Sequence, residues 1–479
     1  MGHPPVAAIS HRPTPAPERE RTPARRRLRT ALPALVLVLV TLGSLTGLVA
    51  PTSAAEHRRT TNPTPSATSG TTAPDSRTIT VGPEFFGLHD GTTQAYDRVD
   101  FGSVRLWDAG VRWDQVEASP GVYRWTGLDA LVSAAQAHHA QVTLVLAMTR
   151  SFAGPAANRA PTDLADYAAY VRAVMERYRD FHGSRGIAAY QVWNEGNIKL
   201  FWDDSPAQLA RLTQVVDRVR DQVDPGATVV APSFAVTTRW ERRWLADYQA
   251  QRVDGTPVWQ LYDANGFSLY PRATYADHAG GPEDAVALIG RVRRILAAAG
   301  VPDSMPMWAT EVNYGLKAGG PQGADPISDR RQVANVLRTY LLGASRGLAR
   351  VFWYRYDWGR LPESQGGGTL GNTLLAVPGQ WDQVTPAGRA LATAQDWLRG
   401  RLVAGDRRRP CAHDHRGTYT CLIRHAGGTR AIYWNPYRKV TVQVRGAVAM
   451  QDESGRRTPL ADGTASVEVG YQPVMVQTR

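Results

Sequence analysis

Only two of the 479 residues are cysteine, Cys411 and Cys421, which excludes a disulfide-rich scaffold. No Gly-x-Gly-x-x-Gly follows the first apolar run, and there is no Gly-x-x-x-x-Gly-Lys, so neither a dinucleotide fold nor a phosphate-binding loop has support. Apart from Arg407-Arg408-Arg409, no long basic run follows Arg59, and no stripe of Lys and Arg interleaved with aromatics marks a nucleic-acid partner. Neither internal repeats nor a sorting tail is present, which argues against a structural or adhesive wall protein. Hydrophobic residues make up 43% and charged residues 20%, which excludes a wholly disordered, collagen-like or polytopic membrane chain.

The net charge of +12 is unevenly spread. The first 55 residues hold seven Arg against Glu18 and Glu20, a net +5 that leaves +7 for the rest. Arg25–Arg29 precede an uncharged stretch, 30–50, and then Ser53-Ala54-Ala55, small residues suited to signal peptidase. A basic, an apolar and a small-residue segment in that order predict a secretion signal over 1–55. The apolar stretch is also nearly long enough to span a bilayer, so membrane anchoring by residues 30–50 is the alternative. Either way the remainder is expected outside the cytoplasm. Residues 56–78, rich in Thr, Pro and Ser, read as a disordered linker.

From 79 to 400, short apolar runs alternate with helical patterns. The runs are Phe85–His89, Ser103–Trp107, Val142–Met148, Ala188–Trp193, Ala227–Ala231, Ala264–Tyr270, Met305–Glu311 and Arg350–Arg355. Their lengths suit buried parallel strands. Helices are predicted at Leu128–His138, Asp163–Phe181, Pro206–Val223, Pro282–Ala299, Asp329–Ala344 and Thr385–Arg399. Strand and helix repeated eight times predict an α/β fold, a (β/α)8 TIM barrel; an open doubly wound sheet is the alternative. Over 401–479 short alternating runs separated by turn signals such as Gly427-Gly428 and Asn435-Pro436 predict a small antiparallel, β-sandwich-like domain. In an exported chain Cys411 and Cys421 read as a hairpin-closing disulfide. His413 and His415 lie between them, so a zinc site is conceivable, but the spacing fits no established zinc pattern. No metal or cofactor is implied.

In a barrel the C-terminal strand ends carry the active site. Here they read His89, Arg105 with Trp107, Trp193-Asn194-Glu195, Tyr270, Glu311, and Trp353 with Arg355. Packing alone does not select acids, an arginine and indoles at so many strand ends. Glu195 and Glu311 both end apolar runs, where a carboxylate needs partners or a raised pKa. Two carboxyls facing each other across a barrel mouth are the equipment for cleaving a glycosidic bond, and a separation of about 5–5.5 Å would indicate retention of configuration.

The run Trp193-Asn194-Glu195 resembles the acid/base signature of clan A glycoside hydrolases. Phe86-Gly87-Leu88-His89, Val104-Arg105-Leu106-Trp107, the stretch Gly121-Val-Tyr-Arg-Trp125 and the Thr310-Glu311 strand end make the chain most similar to family 39. The resemblance implies that Glu195 is the acid/base, Glu311 the nucleophile and Asn194 a partner for the sugar 2-hydroxyl. It also implies that Arg105 and Tyr270 hold Glu311 in place as a carboxylate, and that His89 and Trp353 line the subsite of the cleaved sugar. Trp107, Trp202, Trp308 and Trp358 are candidates for stacking on sugar faces. Many relatives carry Pro where this chain has Gly196, which would loosen the loop holding Glu195 and Asn197. Gly366–Gly371 is a candidate mobile loop over the cleft. Relatives act on β-xylosides, iduronides and bacterial exopolysaccharides, so a carbohydrate substrate is expected with the sugar left open. A monomer is expected. A non-catalytic carbohydrate-binding surface barrel is the alternative reading.

Overall fold

Each of the eight apolar runs forms a strand. The structure, a computed structural model, describes residues 78–89, 93, 95–271, 280–314, 328–356, 376–377, 380–404, 409–461 and 463–479. The N-terminal segments assigned above to export and linker lie outside them, as do Trp358 and Gly366–Gly371. The barrel strands are β1 (Phe86–His89), β2 (Ser103–Leu106), β3 (Gln141–Val145), β4 (Ala189–Gln191), β5 (Thr228–Val230), β6 (Asn265–Leu269), β7 (Met307–Val312) and β8 (Arg350–Trp353). All pair parallel in the order β6-β7-β8-β1-β2-β3-β4-β5. Isolated parallel bridges Val230↔Ala264 and Ala235↔Ser268 join β5 to β6 and close the ring. The closed barrel, rather than an open sheet, is therefore the architecture.

Seven long helices are found among the described residues: α1 (Thr126–Ala137), α2 (Leu164–Tyr178), α3 (Pro206–Val223), α4 (Arg239–Gln249), α5 (Pro282–Ala298), α6 (Asp329–Ser345) and α7 (Pro386–Leu398). Two differ from the sequence expectation. No long helix is found among the described residues between β1 and β2. And α4 was not foreseen: its arginines and outward indole hide the apolar stripe of Leu245 and Tyr248. Its start is nonetheless encoded, because the Thr238 hydroxyl accepts from Glu241 N at 3.1 Å while the Glu241 carboxylate accepts from Thr238 N at 2.7 Å. Elsewhere Asp163, Ser205, Ser328 and Thr385 cap α2, α3, α6 and α7 with side-chain oxygens.

Inside the barrel, Ala189, Val230, Ala264, Trp308 and Phe352 form a separate buried cluster. They come from strands on different sides of the ring, so they meet across its axis and fill it below the mouth. Gly87 is required there: a Cβ would lie 2.5 Å from the Phe352 ring. Between strands and helices lies the larger core, which includes Val104, Val142, Val229, Leu337 and Trp353.

The C-terminal domain is antiparallel throughout. Its strands are β9 (Arg401–Val403), β10 (Cys411–His413), β11 (Tyr419–His425), β12 (Gly428–Trp434), β13 (Val440–Arg445), β14 (Ala447–Gln451), β15 (Arg457–Pro459), β16 (Thr464–Val469) and β17 (Val474–Thr478). One sheet runs β9-β11-β12-β17-β14-β15 with β10 alongside β11, and β13 pairs with β16 as a second layer. Val444, Val467 and Val469 of that layer pack on Ala447 and Val476 of the first. The strand Thr78–Ile79, ahead of the barrel, adds to β9. The domain is clamped to the barrel by Trp434 Nε1 donating to Glu283 at 2.7 Å, Trp397 Nε1 donating to Gln451 at 2.9 Å, and the Arg338 guanidinium 4.2 Å over the Tyr471 ring. Lying between the two, α6 is buried around nearly its whole girth.

Cys411 and Cys421 are bridged, opposite one another on β10 and β11. The bridge uses both thiols, so the zinc alternative falls. A loop of this length predicts about 3 kcal/mol of stabilisation through the unfolded chain. Cys411→Ser/Cys421→Ser should lower the thermal midpoint, and reductant should lower the wild type to match; equal midpoints under oxidising conditions would refute this.

Candidate active site

The mouth is organised by one side chain. Arg105 ends β2, is fully buried, and spends its fork on four residues from three other strands and one loop. Nε donates to Gln191 Oε1 at 2.7 Å, Nη2 to Asn194 Oδ1 at 2.7 Å, and Nη1 to both Glu311 Oε1 at 2.8 Å and His89 Nε2 at 2.7 Å. Only a planar guanidinium can satisfy acceptors in so many directions at once.

Glu311 reaches this point because β7 is irregular. Strict alternation would put Trp308 and Glu311 on opposite faces. The register shifts between Ala309 and Glu311 against β6, so Trp308 fills the barrel axis and Glu311 still turns inward above it. The Tyr270 hydroxyl, after β6, donates to its second oxygen at 2.9 Å. Burial, followed by the charge of Glu311, raises the Tyr270 pKa well above its usual value, so the phenol stays a donor. Each carboxylate oxygen thus has its own donor, and the plane of the group is fixed.

Glu195 is held differently. Its backbone occupies the left-handed region, φ +37°, unusual for a residue with a side chain. Its N–H donates to Ser233 Oγ at 2.8 Å and Gly196 N–H to Ser233 O at 2.9 Å. Asn197 donates to the carbonyls of Ala235 and Glu241 and accepts from Ala235 N. The loop that Gly196 was expected to loosen is therefore tightly bound. Gly196 packs closely there, since a Cβ would meet Leu209 Cδ2 at 2.4 Å and that side chain would have to shift. Burial first, and the neighbouring Glu311 charge second, push the Glu195 carboxyl up to about 8. Arg105 opposes this, as does the Ser268 hydroxyl, which faces it without a hydrogen bond of ordinary length.

Asn194 turns its carbonyl to Arg105, which leaves its NH2 as a free donor at the mouth. His89 accepts from Arg105 at Nε2. Because arginine only donates, the ring proton is assigned to Nδ1, which faces Asp108 at 3.8 Å. Burial lowers the His89 pKa, as does Arg105, so the ring is neutral. Burial disfavours charge on Asp108 too, yet Arg355 at 2.9 Å, His89 and the Tyr354 hydroxyl at 2.8 Å hold it far below the usual carboxylate range.

His89, Arg105, Asn194, Glu195, Tyr270 and Glu311 therefore converge. The tryptophans mostly do not. Phe352 points into the barrel, so the next residue, Trp353, points out of it and is fully buried near Tyr314. Trp308 lies below the site, covered by the Arg350 guanidinium at 4.2 Å. Trp202 packs edge-on against Trp193 in the core. Trp107, just past β2, is mostly buried with its ring edge on Phe201. Three participants were not foreseen: Gln191, Asp108 and Tyr354. Gln191, a polar residue inside a short apolar run, was the one detectable signal.

The same fold occurs in solved glycoside hydrolases. A glucosidase from Croceicoccus marinus superposes with TM-score 0.59 at 14% identity, covering 84% of this chain and 97% of its own. The monomeric β-xylosidase of Caulobacter crescentus CB15 gives 0.57 at 16%, with 84% and 97% covered. A family 30 endoxylanase from Clostridium papyrosolvens C71 gives 0.55 at 12%, with 84% and 98% covered. The chain has the (β/α)8 barrel fold that these enzymes share. No protein-family model matches the sequence, and no curated protein does. The likeness is one of architecture, and the chemistry must be argued from the residues.

Proposed function

We propose that this protein is a retaining glycoside hydrolase that cleaves O-glycosidic bonds of an extracellular poly- or oligosaccharide. One observation carries the reading: two carboxyls, one just past β4 and one near the end of β7, sit in unlike surroundings. Glu311 is fixed by two donors, whereas Glu195 is held protonated by burial and by Glu311 itself. Paired carboxyls made unlike in this way suit one to attack and the other to protonate.

In the first step Glu195 gives its proton to the glycosidic oxygen while a Glu311 oxygen attacks the anomeric carbon. The carbon–oxygen bond breaks, the alcohol leaves, and a glycosyl ester forms on Glu311. Once Glu311 is esterified its charge is gone, and Glu195, now a carboxylate, takes a proton from water as that water attacks the same carbon. The ester breaks, the sugar leaves with retained configuration, and both side chains return to their starting states. The free NH2 of Asn194 is placed to hold a sugar hydroxyl. Export belongs to the same reading, supported by the basic and apolar N-terminal segments and by the Cys411–Cys421 bridge. No helix among the described residues is long and apolar enough to cross a membrane.

A panel of nitrophenyl glycosides and polysaccharides, followed by mass spectrometry of the enzyme after a 2-deoxy-2-fluoro glycoside, tests the proposal. A label on the Glu311 peptide is expected. A label elsewhere, or product of inverted configuration, refutes it.

The acid role has a pH signature. Activity should fall as pH rises through about 8, where Glu195 loses its proton. Glu195→Gln should lose that limb and be most impaired on poor leaving groups. Stability should follow the same group. Between roughly pH 4 and 8 the native state binds this proton more tightly than the unfolded chain does, so it loses stability as pH rises. Glu195→Gln should therefore melt higher than wild type at pH 8 but not at pH 4. An unchanged difference across that range would show that Glu195 is not buried as an acid.

A further inference from the structure

A second concavity lies outside the barrel, between α4, α5 and the segment that follows α4. It is a groove of about 580 Å³ whose walls include Arg242, Arg252, Arg291 and Arg294, with Trp259 on its surface and no carboxylate in its lining. Arg291 and Arg294 are exposed, one turn apart on α5, and make no hydrogen bond or ion pair. Arg242 and Arg252 donate only to backbone carbonyls: those of Val236 and Thr237, and that of Gly255. Burial lowers the Arg242 pKa, as do the Arg291 and Arg239 charges, against the adjacent Glu241 carboxylate. Several other arginines of this protein find acids, Arg220 touching three aspartates and Arg177, Arg185 and Arg355 one each, while Arg150, Arg293 and Arg350 do not among the described residues. Four guanidiniums around a hollow whose lining holds no carboxylate are suited to an anion supplied from outside.

We propose that this groove binds an acidic polysaccharide, one whose sugars carry carboxylates, at a place separate from the catalytic mouth. Charge alone would admit any polyanion. Trp259 in the lining favours a glycan, because an indole beside cations suits an apolar sugar surface while the arginines take the acid groups. The concavity runs between two helices of the outer wall. Its lining takes in the C-terminal part of α4 and the residues after it, which lie toward the barrel face opposite the mouth. The groove would therefore retain a polymer beside the enzyme rather than position a bond for cleavage. The glycan identity rests on the glycosidase reading; the anion site does not.

Sodium polygalacturonate, neutral arabinoxylan and oligo(dT) serve as probes, with binding followed by affinity electrophoresis and calorimetry on the full-length Glu311→Ala protein and on wild type. Polygalacturonate should bind, and more weakly at 200 mM than at 50 mM salt. Arg291→Gln/Arg294→Gln, at exposed positions, should weaken it about tenfold or more and leave aryl glycoside hydrolysis unchanged. Trp259→Leu should weaken polygalacturonate but not oligo(dT). Arabinoxylan binding should be indifferent to the arginine pair. Polygalacturonate affinity unchanged in the arginine variant overturns the site. Oligo(dT) bound as tightly and lost with Trp259→Leu overturns the glycan assignment. Binding that persists in a protein inactive on every glycoside would leave this site standing while removing the catalytic reading.

Discussion

Glu311→Ala should reduce hydrolysis of an activated aryl glycoside by at least about 10⁴-fold, the scale on which removing a covalent nucleophile acts. Without that carboxylate no ester can form, and Glu195 has a proton to give but no partner to complete the displacement. The space left should accept a small anion. Added azide should restore turnover of an activated substrate and give a glycosyl azide of inverted configuration, because a single displacement replaces two. The alanine also has a structural cost. Arg105 keeps its bonds to Gln191, Asn194 and His89 but loses its counter-charge, and the Tyr270 hydroxyl loses its acceptor. Breaking a buried pair costs about 3–5 kcal/mol, so the melting point should drop while the circular dichroism spectrum stays native. Glu311→Gln keeps an acceptor for Arg105 and should be equally inactive but more stable. Full activity in either variant would refute the nucleophile assignment; inactivity without azide rescue in Glu311→Ala would point to a structural role.

Much of this arrangement was legible in the sequence, for a physical reason. A buried parallel strand needs apolar residues on both faces, so any acid, amide or guanidinium that ends such a run must be there for something other than the core. That rule located Arg105, Asn194, Glu195, Tyr270 and Glu311. It failed where side-chain direction depends on the pleat. Trp353 ends β8 and looks like a mouth residue, but Phe352 already occupies the inward position, and one residue later the side chain faces the helices. The bulge in β7 is the converse case, since nothing in Met-Trp-Ala-Thr-Glu announces that both Trp308 and Glu311 turn inward. Asp108 was missed because it lies beyond the strand end, and its partners Tyr354 and Arg355 are distant in sequence. The helix α4 was missed because its burial comes from few positions on a charged segment. Spacing reveals which residues a strand end offers; register and loop closure decide which of them meet.

Arg105 is where stability and chemistry are joined most tightly, and its substitution should separate the two. Arg105→Met removes the donor for Gln191, Asn194, His89 and Glu311 together. Each orphaned buried acceptor costs about 1–3 kcal/mol, although the costs will not add in full because water can enter from the mouth. The expected result is a protein with a sharply lower urea midpoint, or one that fails to accumulate, and no activity. Arg105→Lys is the discriminating variant. An ammonium keeps the charge beside Glu311, but it is a compact group on a flexible stem and cannot reach four acceptors spread over β1, β4, the β4 loop and β7. It should fold and lose about 10²–10³-fold in kcat, with a smaller change in KM, because the Glu311 carboxylate and the Asn194 amide would no longer be held in one geometry. The alkaline limb near pH 8 should survive, since burial and Glu311 are the larger causes of the high Glu195 pKa. A lysine variant with wild-type kcat would mean that charge alone suffices at this position. Loss of the alkaline limb would mean that Arg105, not burial, governs the acid.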